Sequence, residues 1–572
     1  PSAGLTGAGT VDTGSATLTV GADGSTTAFA GAIAGSGGLT KAGGGALNLT
    51  GVHAYTGETL VNGGALFVNG SIAASSLTTV NDGGLLGGNG VLGSLRIAGG
   101  GTLSPGNSIG MLTVNGDVTF EQGSNFIVEV DADGNADQVV ATGAATINGG
   151  TMATVAANGN YQAGARYSVL VADGGVSGAF DSVTTNLAFL TPSFDAANGQ
   201  LVLSTERNDT PYAFVGTTQN RKAVAAAIDD LGGGALYNAI VGLDAGTADY
   251  AFNQLSGELY PSVTAAMAED SHFFRDAVTQ RFAGGAGTGT GTDSAAGDAG
   301  RLSVWSHAYG AHGSLDGNDV GTLDRNTGGF YLGGDASLSD AFTLGAMAGY
   351  GRSSFSLDGE GASADTDSYL IGVYGAASVD AFRLTFGGAY AFNETDAKRA
   401  IDFGSLSDNL TAGYDGSVSQ IFAEAAYAID FAGGVFEPYL GLAQVHAETD
   451  GFTENGGIAA LSAGDSDMNV TYMDLGLRAS KTFAMGERTA SVNGQIGWRH
   501  AFGDITPEMA MAIAGSAPFS IEGTPINENA AIVNAGLNFN LAENANLYVN
   551  YVGQFSDGGS ENGVNAGLKI RF

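Results

Sequence analysis

Cysteine is absent from the 572 residues, which removes disulfides and Cys-ligated metals from consideration. A disulfide loop would jam any chain that threads a pore unfolded in an oxidising periplasm, although many secreted bacterial proteins simply lack cysteine. Charge is scarce as well, at 13% of residues against ~25% in soluble domains. Cations are scarcest: 20 Lys and Arg stand against 57 Asp and Glu, for a net charge of -37. Phosphate binding needs clustered Lys and Arg, so nucleic acid is excluded as a partner; the acidic balance suits a solubilised surface protein. No run of ~20 apolar residues exists, so no transmembrane helix is expected. The chain opens at Pro1 without an initiator Met or a signal peptide, and a mature or truncated piece with sequence missing upstream is expected.

Glycine is abundant, 95 residues, more than double the usual ~7% share. From about 301 to 572 the sequence reads as about twelve amphipathic strands. Val564, Ala566, Leu568, Ile570 and Phe572 alternate with Asn565, Gly567, Lys569 and Arg571; Met473, Leu475 and Leu477 alternate with Asp474 and Arg478; Val492, Ile496 and Trp498 alternate with Asn493, Gln495 and Arg499. A soluble sandwich also alternates, but with strands of ~5 or 6 residues; these run longer. Short connectors recur at Ser337–Asp340, Val379–Ala381, Ala432–Gly434, Met485–Glu487 and Ala542–Asn544, between long polar ones at Leu315–Asn326, Asp396–Gly416, Asp450–Asp467 and Asp504–Asn527. An outer-membrane barrel needs this pattern, with tight turns on the periplasmic side and extended loops outside. Apolar side chains then face lipid, and Asp474, Arg478, Arg499, Lys569 and Arg571 face the lumen.

Residues 1–205 are built of short runs such as Ala46-Leu47-Asn48-Leu49 and Ser94-Leu95-Arg96-Ile97, broken by Gly-Gly or Asn-Gly every ten residues or so. Such strands have no core alone, but stacked as coils they bury one continuous interior. A right-handed parallel β-helix is expected. Residues 206–260 turn helical. Thr217-Thr218 is a plausible N-cap for a helix carrying Ala223, Val224, Ala227, Ile228 and Leu231, stopped by Gly232-Gly233-Gly234, and Ala235–Leu243 forms another. Pro261 then opens a helix over 261–284, roughly Ser262 to Phe282, with Glu269, Asp270, Arg275, Asp276 and Arg281 spread around it. A helix polar on several sides is marginal in water but matched inside a polar lumen. Residues 285–300 are Gly, Ala, Thr, Ser and Asp, a flexible linker.

Three segments resemble one family. Gly38–Gly51 with Tyr55-Thr56-Gly57 and Val61–Leu66 resembles the passenger-associated repeat of autotransporters. Ala251–Tyr260 resembles the QLSGE-type segment that precedes their barrels, and Leu568, Ile570 and the terminal Phe572 resemble the signal read by the barrel assembly machinery. The resemblance to a monomeric, type Va autotransporter spans the chain. It implies a passenger β-helix over 1–205, autochaperone-like from about 101, and a 12-stranded antiparallel transmembrane barrel over 301–572 plugged by an α-helix. It also implies outer-membrane lipid, the assembly machinery, periplasmic chaperones and an unidentified surface ligand as partners of a monomer that displays an adhesive or structural passenger and is not an enzyme. A translocator whose enzymatic domain lies upstream of residue 1 is the alternative; a diffusion porin is disfavoured by the plug helix. Passenger release at paired Asn residues, known in some members, finds no Asn between Ser262 and Phe282, so the passenger is expected to stay attached or to be cut by a separate protease.

Chemical motifs are few, and no cofactor is expected. Gly106-Asn107-Ser108-Ile109-Gly110 matches G-x-S-x-G but lies among solenoid strands rather than at a strand-to-helix elbow, with the later His residues (272, 307, 312, 446, 500) in the helix or barrel region. Asp131, Asp133, Asn135 and Asp137 place oxygens at alternate positions as a calcium loop does, without the later bidentate Glu; a polar hairpin turn accounts for them equally. The six His form no H-x-x-x-H pair, so no zinc site is expected.

Overall fold

The computed structural model describes residues 4–157, 159, 161–283, 302–486, 488–542 and 544–571. The chain divides into two compact units, Pro1–Pro211 with Gly233–Ala248, and Tyr212–Gly232 with Asp249–Phe572. In the first, each short strand pairs in parallel with its counterpart one coil further on. Ala46–Leu49 lies beside Gly64–Val68, then follow Gly84–Gly88, Thr102–Pro105, Asn125–Val130, Thr151–Ala156 and Ser182–Thr185. Register stacks apolar on apolar: Leu47 faces Leu66, Leu66 faces Leu86, Leu86 faces Leu103, Leu103 faces Phe126, and Phe126 faces Met152. All six are wholly buried, so strands too short to be stable alone share one interior. The Gly turns bring backbone onto backbone; a Cβ on Gly70 would sit 1.9 Å from the Gly51 carbonyl oxygen of the coil below.

The coil pattern stops short of 205. Gln200–Arg207 pairs antiparallel with Arg166–Ala172 on one side and Leu190–Ala197 on the other. Leu201, Val202 and Leu203 therefore belong to a terminal hairpin rather than a coil. An antiparallel hairpin lets the chain close a solenoid sheet edge that would otherwise offer unpaired backbone groups.

The second unit is a closed barrel of twelve antiparallel strands: β1 (Leu302–Leu315), β2 (Leu323–Ser339), β3 (Phe342–Leu357), β4 (Ala362–Val379), β5 (Phe382–Phe403), β6 (Leu406–Tyr427), β7 (Gly434–Thr449), β8 (Ser466–Met485), β9 (Arg488–Gly503), β10 (Asn529–Ala542), β11 (Ala545–Ser556) and β12 (Gly559–Arg571). A short strand, Ile429–Phe431, continues beyond β6 and pairs with β7. β12 returns to β1, Leu315 opposite Gly559 and Ser303 opposite Arg571, and no barrel edge is left. Large apolar side chains such as Ile371, Val373, Ile421, Leu475, Ile496 and Val564 point outward and are exposed, the face that lipid covers.

The short connectors expected from the sequence fall on one rim, where β2, β4, β8 and β10 end at Ser339, Val379, Met485 and Ala542 and their successors begin at Phe342, Phe382, Arg488 and Ala545. The opposite rim departs from expectation in two ways. Asp396–Gly416 is regular ladder rather than loop, with β5 and β6 paired all the way from Phe382–Tyr427 to Phe403–Leu406. Asp450–Asp467 and Asp504–Asn527 are not open loops either. Their strands Phe452–Thr453, Leu461–Ala463, Glu508–Ile513 and Phe519–Glu522 make a separate four-stranded sheet.

Among the described residues five α-helices precede the barrel: α1 (Gln219–Asp229), α2 (Ala235–Val241), α3 (Ala245–Ser256), α4 (Leu259–Asp270) and α5 (His272–Phe282). Thr218 caps α1, its side chain accepting from Arg221 N. The single helix expected from Pro261 is two. α4 begins at Leu259, and Pro261 sits inside its first turn, where a missing N–H costs nothing. The break falls at Ser271, whose hydroxyl donates to the Ala268 carbonyl at 2.6 Å and competes with the helical ladder. The linker expected over 285–300 lies outside the described residues.

Candidate functional site

α4 and α5 run through the barrel from the rim of the long connections to the rim of the short turns. From Leu259 to Glu269 every residue is buried, and the polar ones meet polar wall. At the first rim Tyr260 donates to Glu454, and the same carboxylate takes Arg399 through Nε at 2.6 Å and Nη2 at 2.8 Å. Deeper, Glu269 accepts from Tyr472 at 3.0 Å and from Gln554. Asp270 holds Arg325 and accepts from Thr327 at 2.8 Å. Arg275 donates to Gln420 at 2.9 Å. Asp276 is bound to His272 Nδ1 at 2.9 Å, while His272 Nε2 meets Glu561 at 3.1 Å. Arg281 closes the second rim with a bidentate pair on Asp335 at 3.0 and 2.8 Å, and Tyr374 reaches the same Asp335 at 3.0 Å.

Glycine makes room for this helix pair. A Cβ on Gly372 would come within 2.6 Å of the Phe274 ring. Of the wall residues singled out in the sequence, Asp474 binds Arg499 at 2.8 and 2.9 Å and Arg478 binds Glu424 at 2.6 Å through both nitrogens. Lys569 and Arg571 line a polar chamber beyond Phe282, together with Asn493, Asn538, Asn546 and Asn550. Leu568 and Ile570 alternate with them on β12; Phe572 lies outside the described residues. Sequence reasoning did not single out Arg325, Asp335, Arg399, Glu424, Glu454 or Glu561. The signal was available for the strand-borne cations: in a chain this poor in Lys and Arg, an Arg at the lumen-facing parity of a strand has to be paired.

The two motifs weighed for chemistry are backbone devices of the solenoid. Gly106 to Gly110 is a turn in which Gly106 takes φ +89° and Ser108 φ +149°. The Asp137 oxygens accept from Gly110 N and Glu129 N at 2.9 Å each. The Asp131 carboxylate accepts from Asp133 N at 3.0 Å, Asn135 N at 2.9 Å and the Asn135 amide at 2.7 Å. Those oxygens are turned onto the loop's own N–H groups, as in an Asx turn. Among the described residues no group of three or more His, Asp or Glu is placed to hold a metal ion.

Closed antiparallel strands, an outward apolar band and a polar lumen define an outer-membrane β-barrel. Residues 304–552 match the autotransporter beta-domain family. Two proteins of Serratia marcescens named extracellular serine protease are 30% identical over 595 residues and 29% identical over 598 residues. Each match takes in 94% of this chain and 56% of the relative, so the chain spans little more than half the length of these curated relatives. Among solved structures, the translocator domain of NalP from Neisseria meningitidis aligns with TM-score 0.44 at 17% identity, over 55% of this chain and 100% of that one. The transport unit of AIDA-I from Escherichia coli aligns with TM-score 0.34 at 18% identity, over 47% and 90%. Residues 304–552 thus form an autotransporter beta-domain, a barrel of the bacterial outer membrane.

Proposed function

We propose that the barrel exports the N-terminal solenoid of its own chain and holds it at the cell surface, where the solenoid acts in adhesion or as structure and residues 1–572 carry out no catalysis. The observation that supports this is the path of the chain. α4 starts among the long connections, with Tyr260 on Glu454, and α5 ends at the short-turn rim, with Arg281 on Asp335, so residues upstream of α4 join it on the rim that faces the exterior. The assembly machinery reading Leu568, Ile570 and Phe572, periplasmic chaperones, surrounding lipid, a surface ligand and a monomeric state complete the proposal. Proteinase K added to intact cells should digest an epitope tag placed after Val20 while leaving the barrel whole. A tag digested only after the outer membrane is broken would overturn the export reading.

A second reading follows from the name of the Serratia relatives: the displayed passenger is proteolytic. Purified residues 1–572 should leave casein intact; hydrolysis abolished by Ser108→Ala would place the activity in this chain and refute the non-enzymatic reading.

A further inference from the structure

Among the described residues most buried acids of the second unit pair with an Arg; Glu269 accepts instead from Tyr472 and Gln554, and two acids at the outer rim have no ion pair. Glu258, in the bend between α3 and α4, and Glu360, between β3 and β4, are 1% and 0% exposed, and the Glu360 bond to Ser256, two residues before Glu258, brings the two acids to one buried place. Glu258 Oε1 accepts from Asn220 Nδ2 at 2.9 Å and Oε2 from Gly321 N at 3.2 Å. One Glu360 oxygen accepts from Ser256 Oγ at 2.7 Å, while Oε2 is sealed from solvent and finds no donor among the described residues. The nearest guanidiniums are engaged elsewhere. Arg221 binds Asp249 at 2.5 Å and Asn253 at 2.8 Å. Arg399 binds Glu454 and donates to the Gln254 carbonyl at 2.8 Å, so both act on the acids only through space.

Two neighbouring carboxyls, walled from water and without a cation of their own, cannot both carry charge. A calcium ion would need about six to eight oxygens, and three of the four carboxyl oxygens here already accept from N–H or O–H groups. We infer that Glu258 and Glu360 share one proton, and that this proton is a latch: with it the rim is closed over the start of the lumenal helix, and without it α1 and α3 come loose. The pair is tied into five segments. Asn220 of α1 also locks to the edge of the outer sheet, its amide donating to the Glu522 carbonyl at 2.8 Å and its oxygen accepting from Glu522 N at 2.9 Å.

The direction with pH follows. Burial, and after it the Glu258 charge, push Glu360 up from the ordinary 4.5 to about 8, and burial raises Glu258 too. An acid raised in the closed state stabilises that state while protonated. The stabilisation is full below the ordinary value, declines as pH rises, and is spent above about 8. Hydrogen exchange of the α1 amides tests it on the full chain in lipid nanodiscs, corrected for intrinsic exchange, from about pH 5 to about pH 9. Protection should fall about tenfold per pH unit and level off above about pH 8. In Glu360→Gln, whose amide can donate permanently to Glu258, protection should stay flat. A wild-type profile flat across the range overturns the latch, as does an unchanged slope in Glu360→Gln. Full protection restored at high pH by millimolar calcium overturns it in favour of a cation site. If the variant does not assemble, the wild-type profile with and without calcium decides alone.

Discussion

Asp137 is wholly buried, and its two oxygens fasten Gly110 N and Glu129 N, so one carboxylate staples a glycine turn to a strand about one coil further along the chain. Burial pushes its pKa up to about 6, against the pull of those two N–H groups. Replacing it by Ala leaves two buried donors unmatched and should cost on the order of 2 kcal/mol of local solenoid stability. Its pH signature has a fixed sign. Because the folded value lies above the free one, the solenoid loses stability as pH rises from the ordinary 3.8 to about 6 and holds level above that; Asp137→Asn should abolish this slope. Amide exchange around Gly110 and Glu129, measured across that range in both chains, checks the prediction.

At the scale of elements, strands of the barrel were legible because lipid on one side and lumen on the other enforce a strict two-residue period. That signal fails where β5 and β6 rise past the lipid. There Lys398 and Asp402 are exposed while Arg399 is buried, so both faces carry charge, and the stretch reads as a polar loop. The outer sheet was illegible for a different reason: strands as short as Phe452–Thr453 and Leu461–Ala463 are defined by partners far along the chain. The same dependence on a distant partner hid Glu258 and Glu360, which neither period nor motif connects. In the solenoid, by contrast, the repeat fixes partners at one coil's separation, and its residues were visible. Its interior strands should not all matter equally. Val128 sits in a six-residue strand paired along its whole length with Thr151–Ala156, whereas Val20 ends a three-residue strand. Pro removes a ladder donor, so Val128→Pro should abolish most surface display and Val20→Pro little of it, as protease accessibility on intact cells would read. Equal display of the two would remove any templating role from the later coils.

For the whole molecule, a barrel between the side-chain-filled eight-stranded kind and the open sixteen-stranded kind has room for one helix, and here α4 and α5 take it. Deleting residues 212–283 should turn a nearly silent protein into one with severalfold higher steady conductance in planar bilayers; equal conductance with and without them would mean the helix pair does not occlude the pore.

The seam between β1 and β12 sets an order of events. β1 leaves the ribosome first of the twelve and can be satisfied on that side only by the strand that leaves it last. Through all the intervening synthesis and export, the whole edge from Ser303 to Leu315 has no intramolecular mate. In hydrocarbon each orphan amide costs several kcal/mol, so this sheet cannot be laid into the bilayer one strand at a time. Either it closes before it enters, or another surface stands in for β12 until β12 arrives. The last of the twelve strands thus holds a veto over the first.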